Sequence, residues 1–270
     1  MCLILVAWRA HTDYPLVLAA NRDEFHARAA APAAWWPQPD ILAGRDLSAG
    51  GTWLGVARDG RFAALTNYRD PAIAQRDAPS RGELVPATLA SALPVQQRLQ
   101  QLRRTAGNYN PFNLIFSDGE QLAVFESVAG DGRVLQPGVY GLSNHLLDTP
   151  WPKVRHAKSA LGEAMTQLPD ERSLLALLRD ERQADESQLP RTGVSLEWER
   201  LLSSAFIRAP AYGTRCSSIV LMNRHGAVRF SEWSWDESGA LSGQVEQQFE
   251  IDAARRATAT PPPLADPVSR

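Results

Sequence analysis

Cysteine is rare in this chain, and one of its two copies occupies the second position as Cys2. A small side chain at this position favours removal of the initiator methionine, which would leave Cys2 with both a thiol and a free α-amine. The amine titrates near ~7.7–8.0 and the thiol near ~8.5, so the amine can accept the thiol proton close to neutral pH. Because the thiolate is the attacking species, the sequence predicts a nucleophile at Cys2. The alternative is a cysteine that occupies this position without a chemical role.

A block of polar residues ends the second apolar run of the chain. The apolar runs at 3–8 and 16–20 are separated by a short polar break, which predicts a hairpin whose strands are buried on both faces. A turn at the centre of that break pairs residues whose numbers sum to about 25, with an uncertainty of a residue or two. This register places Cys2 across from Arg22 and Asp23.

Arg22 and Asp23 have complementary roles in this hypothesis. Asp23 can accept hydrogen bonds from the Cys2 ammonium and hold the amine in place, and Arg22 can lower the thiol pKa by placing a cation nearby. Neighbouring residues of a regular strand point to opposite faces. Either a bulge or the strand end must therefore intervene, or only one of the two residues serves the site. The alternative for residues 21–24 is a solvated strand end with a charged turn.

Two asparagines and a later arginine complete the candidates. Asn67 follows a predicted strand and Asn144 lies in a Gly-Leu-Ser-Asn-His segment, and a side-chain amide can donate to a developing oxyanion. The alternative is that both are turn residues, which is the commoner role of asparagine at a strand end. Arg215 precedes the apolar run at 217–222. It is either a surface gatekeeper or a clamp for a substrate carboxylate.

Composition and charge exclude several classes of protein. The chain has 270 residues, of which 44% are hydrophobic and 21% charged, and its net charge of −2 gives no basic footprint for nucleic acid. No apolar stretch approaches the ~18 residues that would span a membrane, and the apolar start lacks the basic region of an export signal. The five histidines lack metal-ligand spacing, and there is no phosphate-binding loop. We therefore expect a cytoplasmic protein with a small-molecule ligand or substrate, without nucleic acid, a membrane span or a required cofactor; a homo-oligomer remains open.

Hairpins separated by helical segments predict the fold class. Strand pairs are predicted at 52–57 with 61–66, 112–116 with 122–126 and 217–222 with 227–233, and helices at 82–93, 153–168, 170–182 and 196–204. This order of elements predicts an α+β protein with antiparallel sheets covered by helices. We expect one domain over 1–252. The segment 253–270 is rich in proline and alanine and is expected to be a disordered tail.

Seven short motifs occur in order along the chain, namely Met1-Cys2, Asn21-Arg22-Asp23-Glu24-Phe25, Gly51-Thr52-Trp53-Leu54-Gly55, Thr66-Asn67-Tyr68-Arg69, Ser80-Arg81-Gly82, Gly141-Leu142-Ser143-Asn144 and Trp151-Pro152-Lys153. Together they resemble the NRDE family of transport and Golgi organisation protein 2-like proteins. The resemblance runs over residues 1–235. It implies the fold of the N-terminal-nucleophile hydrolase superfamily, a four-layer αββα sandwich of two stacked, mainly antiparallel sheets.

The resemblance also implies site residues. Conjugated bile-acid hydrolases and penicillin V acylases are similar in using an N-terminal cysteine, an arginine and an aspartate after the first hairpin, oxyanion asparagines and a later arginine. Cys2 matches directly. Arg22 and Asp23 are adjacent here, whereas those enzymes separate the two by two residues. One of the two asparagines, and Arg215, match the remaining positions of that pattern.

Two functional hypotheses follow. In the first, the Cys2 thiolate attacks the carbonyl of a small, non-peptide amide, and the α-amine of the same residue carries the proton. In the second, the same fold carries haem or an acyl lipid such as acyl-CoA without catalysis, because relatives have been linked to haem trafficking and lipid metabolism. The chain has no haem-attachment motif, so haem would be a carried ligand.

Overall fold

Thirteen strands build two antiparallel sheets in the computed structural model, which describes residues 2–75, 77–91 and 93–252. In chain order the strands are β1 (Cys2–Trp8), β2 (Leu16–Phe25), β3 (Ala30–Pro37), β4 (Asp40–Asp46), β5 (Leu54–Ala57), β6 (Phe62–Asn67), β7 (Phe112–Ser117), β8 (Leu122–Glu126), β9 (Asp131–Leu135), β10 (Gly138–Leu142), β11 (Tyr212–Met222), β12 (Ala227–Trp235) and β13 (Leu241–Glu250). The first sheet has the order β10-β1-β2-β11-β12-β13, and the second has the order β3-β4-β5-β6-β7-β8-β9. The expected tail at 253–270 lies outside the described residues.

Helices cover both outer faces of the stacked sheets. They are α1 (Leu84–Ala90), α2 (Val95–Thr105), α3 (Pro152–Met165), α4 (Arg172–Leu178) and α5 (Leu196–Leu201). Helices α3 and α4 pack on the first sheet, and α1 and α2 pack on the second. The layers therefore run helix, sheet, sheet, helix, which confirms the predicted αββα architecture. No helix in the described ranges is both long and apolar enough to span a membrane.

The strands of the first sheet are apolar on both faces because both faces are covered. Ile4 and Val6 belong to the core between the two sheets, which also contains Phe62 of the second sheet. Leu3 and Leu5 belong to the core beneath α3 and α4. This alternation explains the continuous apolar run at the start of the chain, since a strand covered on both faces does not alternate with polar residues.

The predicted hairpins are present, and their strands differ from the prediction mainly at the polar ends. Strand β2 continues to Phe25, beyond the predicted end at residue 20, because its polar block stays paired with β11. Strand β11 correspondingly begins at Tyr212 instead of residue 217. The four predicted helices are present as α1, α3, α4 and α5, each shorter than predicted. The sequence patterns do not predict β3, β4, β9, β10, β13 or α2.

Candidate active site

Cys2 is the first residue of β1, and neighbouring strands fix the backbone around it. Its Cα pairs with Arg22 on β2, within one residue of the predicted register, and Arg22 pairs in turn with Cys216 on β11. Ser143 directly follows β10, and its hydroxyl donates a hydrogen bond to the Cys2 carbonyl at 3.0 Å. Cys2 is partly exposed and lines a cavity of about 320 Å³, which we call the Cys2 cavity.

A bulge in β11 lies opposite two neighbouring candidate residues of β2. Thr214 pairs with Asp23 and Cys216 pairs with Arg22, so Arg215 is the extra residue between them. The Thr214 hydroxyl donates to Asp23 Oδ1 at 2.7 Å. Asp23 and Arg22 both line the Cys2 cavity. The bulge is on β11, while on β2 Arg22 is the last residue that pairs with β1 and Asp23 lies just beyond that pair.

Asp23 is a buried carboxylate at the strand end. Only 1% of the residue is exposed, and burial raises the pKa of its carboxyl group, while the Lys153 cation and the hydrogen bond from Thr214 oppose the rise. The pairing of Cys2 with Arg22 places Asp23 one residue beyond the start of β1. The α-nitrogen of Cys2 points along the chain in that direction, so Asp23 lies toward the nitrogen of Cys2.

The surroundings of the Cys2 thiol act on its pKa in both directions. Burial raises the pKa of the thiol, and the negative charge of Asp23 raises it further. The Asp23 backbone N–H and the Arg22 guanidinium lower it, but the pKa stays above its usual range. The thiol is therefore predominantly protonated at neutral pH and needs a base close by to become a nucleophile.

An aromatic ring and a carboxylate hold Arg22. Its guanidinium carbon lies 4.6 Å from the centroid of the Trp53 ring, and Nη2 lies 3.5 Å from Asp46 Oδ2. Arg28 Nε donates to the same Asp46 oxygen at 2.7 Å. Gly44 leaves room for the indole, because a Cβ there would lie 2.5 Å from the Trp53 ring. Arg22 is thus a fixed positive charge in the cavity wall.

The two candidate asparagines occupy different places. Asn67 ends β6 and lines the Cys2 cavity. Asn144 is fully buried and is not among the described residues that line the cavity. Its Nδ2 donates to the Asn67 carbonyl at 2.9 Å, and its own carbonyl accepts from the Arg69 backbone N–H at 2.8 Å. Asn67 can therefore face a substrate, whereas Asn144 fixes the backbone of Asn67.

Arg215 does not reach the Cys2 cavity. Its Nη1 donates to the carbonyls of Phe25, His26 and Arg28, at 3.1, 3.0 and 3.3 Å, in the turn that follows β2. It lines a different cavity next to Arg22. Arg215, for which the sequence analysis gave a surface gatekeeper or a substrate-carboxylate clamp as alternatives, is therefore not among the described residues that line the Cys2 cavity.

Four of the six candidate residues line one cavity, namely Cys2, Arg22, Asp23 and Asn67. They supply a thiol, a guanidinium, a carboxylate and an amide, which are groups that nucleophilic acyl chemistry uses. No group of three or more His, Cys, Asp or Glu side chains in the described part of the chain could hold a metal ion. No histidine is among the described residues that line this cavity.

Comparison with known proteins places the chain in a family. The sequence profile described as "Transport and Golgi organisation 2" matches residues 1–237. The chain belongs to this family. The Transport and Golgi organization protein 2 homolog of Bos taurus is 39% identical over 259 residues, which cover 87% of this chain and 93% of the relative. The Drosophila melanogaster protein of the same name is 31% identical over 262 residues, with 86% and 91% covered. The resemblance drawn from the motifs is confirmed.

Two solved structures are similar at low sequence identity. A Caenorhabditis elegans N-acylethanolamine-hydrolyzing acid amidase ortholog has a TM-score of 0.40 and 11% identity, covering 82% of this chain and 92% of its own. A mutant of the conjugated bile acid hydrolase from Clostridium perfringens has a TM-score of 0.43 and 11% identity, covering 94% and 98%.

A buried lysine in this family member was missed by the sequence analysis. Lys153 is the second residue of α3 and is 4% exposed, and its Nζ has no hydrogen-bond partner among the described residues. Burial lowers its pKa from 10.5 to about 8, with the negative charge of Asp23 opposing the change. A signal was available, because Lys153 shares one helix face with Ala157 and Leu161, both buried.

The loop before α1 forms another wall of the Cys2 cavity. Its Ser80-Arg81-Gly82 motif was part of the family resemblance, but no role was predicted for it. Arg81 lines the Cys2 cavity and donates from Nη1 to the Pro111 carbonyl at 3.0 Å; burial lowers the pKa of its guanidinium. The neighbouring Gly82 packs on Gly51, where a Cβ would lie 2.4 Å from the Gly82 carbonyl group. Thr52 N–H donates to the Gly82 carbonyl at 3.0 Å. The two glycine-containing motifs therefore form one contact that shapes the cavity.

Proposed function

We propose that this protein is an N-terminal-cysteine amidohydrolase acting on a small, non-peptide amide. The observation that supports this most is the position of Asp23, which is buried one residue beyond the Cys2–Arg22 pair and thus lies toward the α-nitrogen of Cys2. A buried carboxylate is stabilised by a cationic partner. The α-ammonium of Cys2 can be that partner once Met1 has been removed.

The first chemical step is proton transfer from the Cys2 thiol to its own α-amine. Burial favours the neutral thiol, so a base on the same residue removes the proton most directly. The thiolate then attacks the amide carbonyl carbon, a C–S bond forms, and the carbonyl electron pair moves to the oxygen. Asp23 orients the resulting ammonium group during this step.

The second part of the reaction releases the amine and then the acid. The Asn67 side-chain amide donates to the oxyanion of the tetrahedral intermediate, and Arg22 supplies positive charge at the same wall. The Cys2 ammonium gives its proton to the leaving nitrogen, the C–N bond breaks, and a thioester remains. Water, deprotonated by the α-amine, attacks the thioester, and the acid leaves with restoration of the thiol.

The cavity limits the substrate to a small molecule. Its volume is about 320 Å³, and its apolar walls include Trp53, Leu65 and Pro79. Polar groups surround the thiol, so we expect an acyl part that packs on the apolar walls and an amide that lies at Cys2.

The first test determines the N-terminus and the reactivity of the two thiols. Intact mass of the purified protein reports whether Met1 is removed, and limited iodoacetamide treatment with peptide mapping compares Cys2 with Cys216. We expect Met1 to be absent and Cys2 to be labelled much faster, because Cys216 is buried and burial raises its thiol pKa well above the usual range.

The second test measures amide hydrolysis with a panel of acyl-p-nitroanilides. Cys2→Ala should abolish turnover of any anilide that the native protein cleaves, and the matched control Cys216→Ala should retain it. Retained Met1, or full activity of Cys2→Ala on such a substrate, would contradict the proposal. In that case, titration with haem and with a long-chain acyl-CoA tests the carrier function instead.

A further inference from the structure

A second cavity shares two wall residues with the Cys2 cavity. Its volume is about 250 Å³, and Arg22 and Trp53 line both spaces. Its other walls come from β3, β11, β12 and β13, and Arg215 of the β11 bulge is among them. We call this space the Arg215 cavity. Neither Cys2 nor Asp23 is among the described residues that line it, so a ligand in this cavity does not contact the proposed nucleophile or the carboxylate beside it.

Two buried guanidinium donors lack protein acceptors beside this cavity. Arg22 Nη1 and Arg215 Nε are both buried, and neither has a hydrogen-bond partner in the described part of the chain. The Arg22 side chain is only 5% exposed. The Nη1 atom of Arg215 is held by three carbonyls, so its guanidinium has a fixed orientation. A buried charged donor without an acceptor is costly, which favours an anionic ligand at this place.

The charge around the cavity selects the kind of anion. Glu232 also lines the Arg215 cavity and is 2% exposed; its carboxylate accepts from the Ala33 N–H at 2.7 Å and from the Ser218 hydroxyl at 3.2 Å. The residues that line the cavity supply two guanidinium groups and one carboxyl group. The Asp46 carboxylate that contacts Arg22 is matched by the Arg28 cation, so the net positive charge is at least one. This suits a monoanion, whereas a dianion such as phosphate is repelled by Glu232 when that group is ionised.

The aromatic walls select the body of the ligand. Trp53 and Trp235 both line the cavity, and the Trp235 indole N–H is already satisfied by the Ser217 hydroxyl at 3.0 Å. Arg22 covers part of the Trp53 ring, and the remaining indole surface at the cavity offers apolar contact to a compact group. We propose that the Arg215 cavity binds the carboxylate of a small aromatic acid, with Arg22 Nη1 and Arg215 Nε as the hydrogen-bond donors.

Isothermal titration calorimetry with benzoate tests this site on the full chain. Sodium chloride keeps the ionic strength constant, and inorganic phosphate is the comparison anion. We expect saturable binding of benzoate and at least about tenfold weaker binding of phosphate, because the site favours a single negative charge. Arg215→Gln should weaken benzoate binding by about tenfold or more, and the matched control Arg224→Gln, at an exposed position away from the cavity, should leave it unchanged.

A second variant keeps the test decisive if Arg215→Gln fails to fold. Gly243 lines the cavity, and a Cβ there would lie 3.8 Å from Ser234 Cβ, an ordinary contact. Gly243→Leu should fill the space without touching the carbonyls that Arg215 holds, and it should abolish benzoate binding. Absence of saturable benzoate binding to the native protein, or unchanged binding in Gly243→Leu, would overturn the proposal.

Discussion

Arg69 and Lys153 are two buried cations near Asp23, and the protein satisfies them differently. Arg69 Nη1 donates to Glu199 Oε2 at 2.8 Å, and both side chains are less than a twentieth exposed. Lys153 is equally buried, but its Nζ has no hydrogen-bond partner within the described residues. The Lys153 cation lowers the pKa of Asp23, and the Arg69 cation lowers the pKa of Lys153. One cation is therefore part of an ion pair, and the other is held without one.

This difference distinguishes a charge that stabilises the structure from a charge that can take part in chemistry. A paired arginine keeps its charge, and the Arg69 pair also fixes Asn144 through the Arg69 backbone N–H. An unpaired buried lysine is destabilising, and its pKa moves toward neutral pH. Groups with such shifts concentrate at functional sites. We infer that Lys153 tunes the charge of Asp23, whereas Arg69 holds the surrounding backbone.

Breaking the paired cation should have the largest effect. Glu199→Gln removes the carboxylate that pairs with the buried Arg69 guanidinium, and we expect a loss of about 3–5 kcal/mol in the free energy of unfolding. Glu199 also accepts hydrogen bonds from the Thr192 N–H and hydroxyl, and the uncharged oxygen of glutamine accepts them less strongly, which adds to the loss. Urea denaturation followed by circular dichroism measures it.

A matched control separates the lost charge from the lost hydrogen bonds. Thr192→Val removes the hydroxyl bond to Glu199 but leaves the ion pair with Arg69 in place. We expect a loss of only about 1 kcal/mol for this variant. Equal losses for the two variants would show that the ion pair is not the source of the stability.

Removing the Lys153 cation should have the opposite effect and raise the free energy of unfolding. Folding lowers the Lys153 pKa from 10.5 to about 8, so Lys153→Met should stabilise the protein at pH 7 by about 3 kcal/mol. Below pH 8 the lysine is protonated in both the folded and the unfolded protein, so the full cost of burying its charge is present. The native protein should therefore recover stability relative to Lys153→Met as the pH rises from 8 toward 10.5.

The same variant separates tuning of the site from a purely structural role. The charges that face Lys153 are Asp23, Cys2 and Arg69. Loss of the cation should raise the pKa of the Cys2 thiol, so the pH profile of iodoacetamide labelling should shift to higher pH. Lys153→Arg keeps a cation and should shift the profile less. A stabilised Lys153→Met protein with an unchanged labelling profile would contradict a role at the site.

The first hairpin is the part of this site that sequence reasoning could reach. The apolar runs and the break between them determine its register, so Cys2 could be placed across from Arg22 to within one residue. The conflict between Arg22 and Asp23 on a regular strand also indicated either a bulge or a strand end, and the structure has the start of β1 and a bulge of β11 beside these residues. Local pairing and side-chain alternation carry this information.

The remaining groups arrive by pairings between distant segments. Ser143 reaches Cys2 because β10 pairs with β1, and Thr214 reaches Asp23 because β11 pairs with β2. No local pattern specifies either pairing, and β10 itself was not predicted. Lys153 needs in addition the packing of α3 on the first sheet. The αββα order of layers could be predicted through the family resemblance, but not which side chains those layers bring together.

Removing the hydrogen bond that the Thr214 hydroxyl donates to Asp23 should change the stability less than the substitutions of Glu199 and Lys153. Thr214→Val removes the donor to Asp23 Oδ1, and we expect a loss of about 2 kcal/mol in the free energy of unfolding. The pKa of Asp23 should rise further, and because the negative charge of Asp23 raises the Cys2 thiol pKa, its partial neutralisation should speed the labelling of Cys2. Thr88→Val is the matched control, because Thr88 is also buried and bonds to a buried arginine away from the site. A similar change in Cys2 labelling for both variants would contradict a specific effect on Asp23.

The smallest effect is expected for an ion pair of similar length on the surface. Arg208 Nη2 lies 2.7 Å from Glu181 Oε2, but the two side chains are 54% and 46% exposed. Water already solvates both charges, and we expect Arg208→Ala to change the free energy of unfolding by less than about 1 kcal/mol. A double-mutant cycle with Glu181→Ala measures the coupling. A coupling energy as large as the loss of unfolding free energy in Glu199→Gln would mean that burial does not explain the strength of the Arg69–Glu199 pair. The different behaviour of Arg69 and Lys153 would then need another cause.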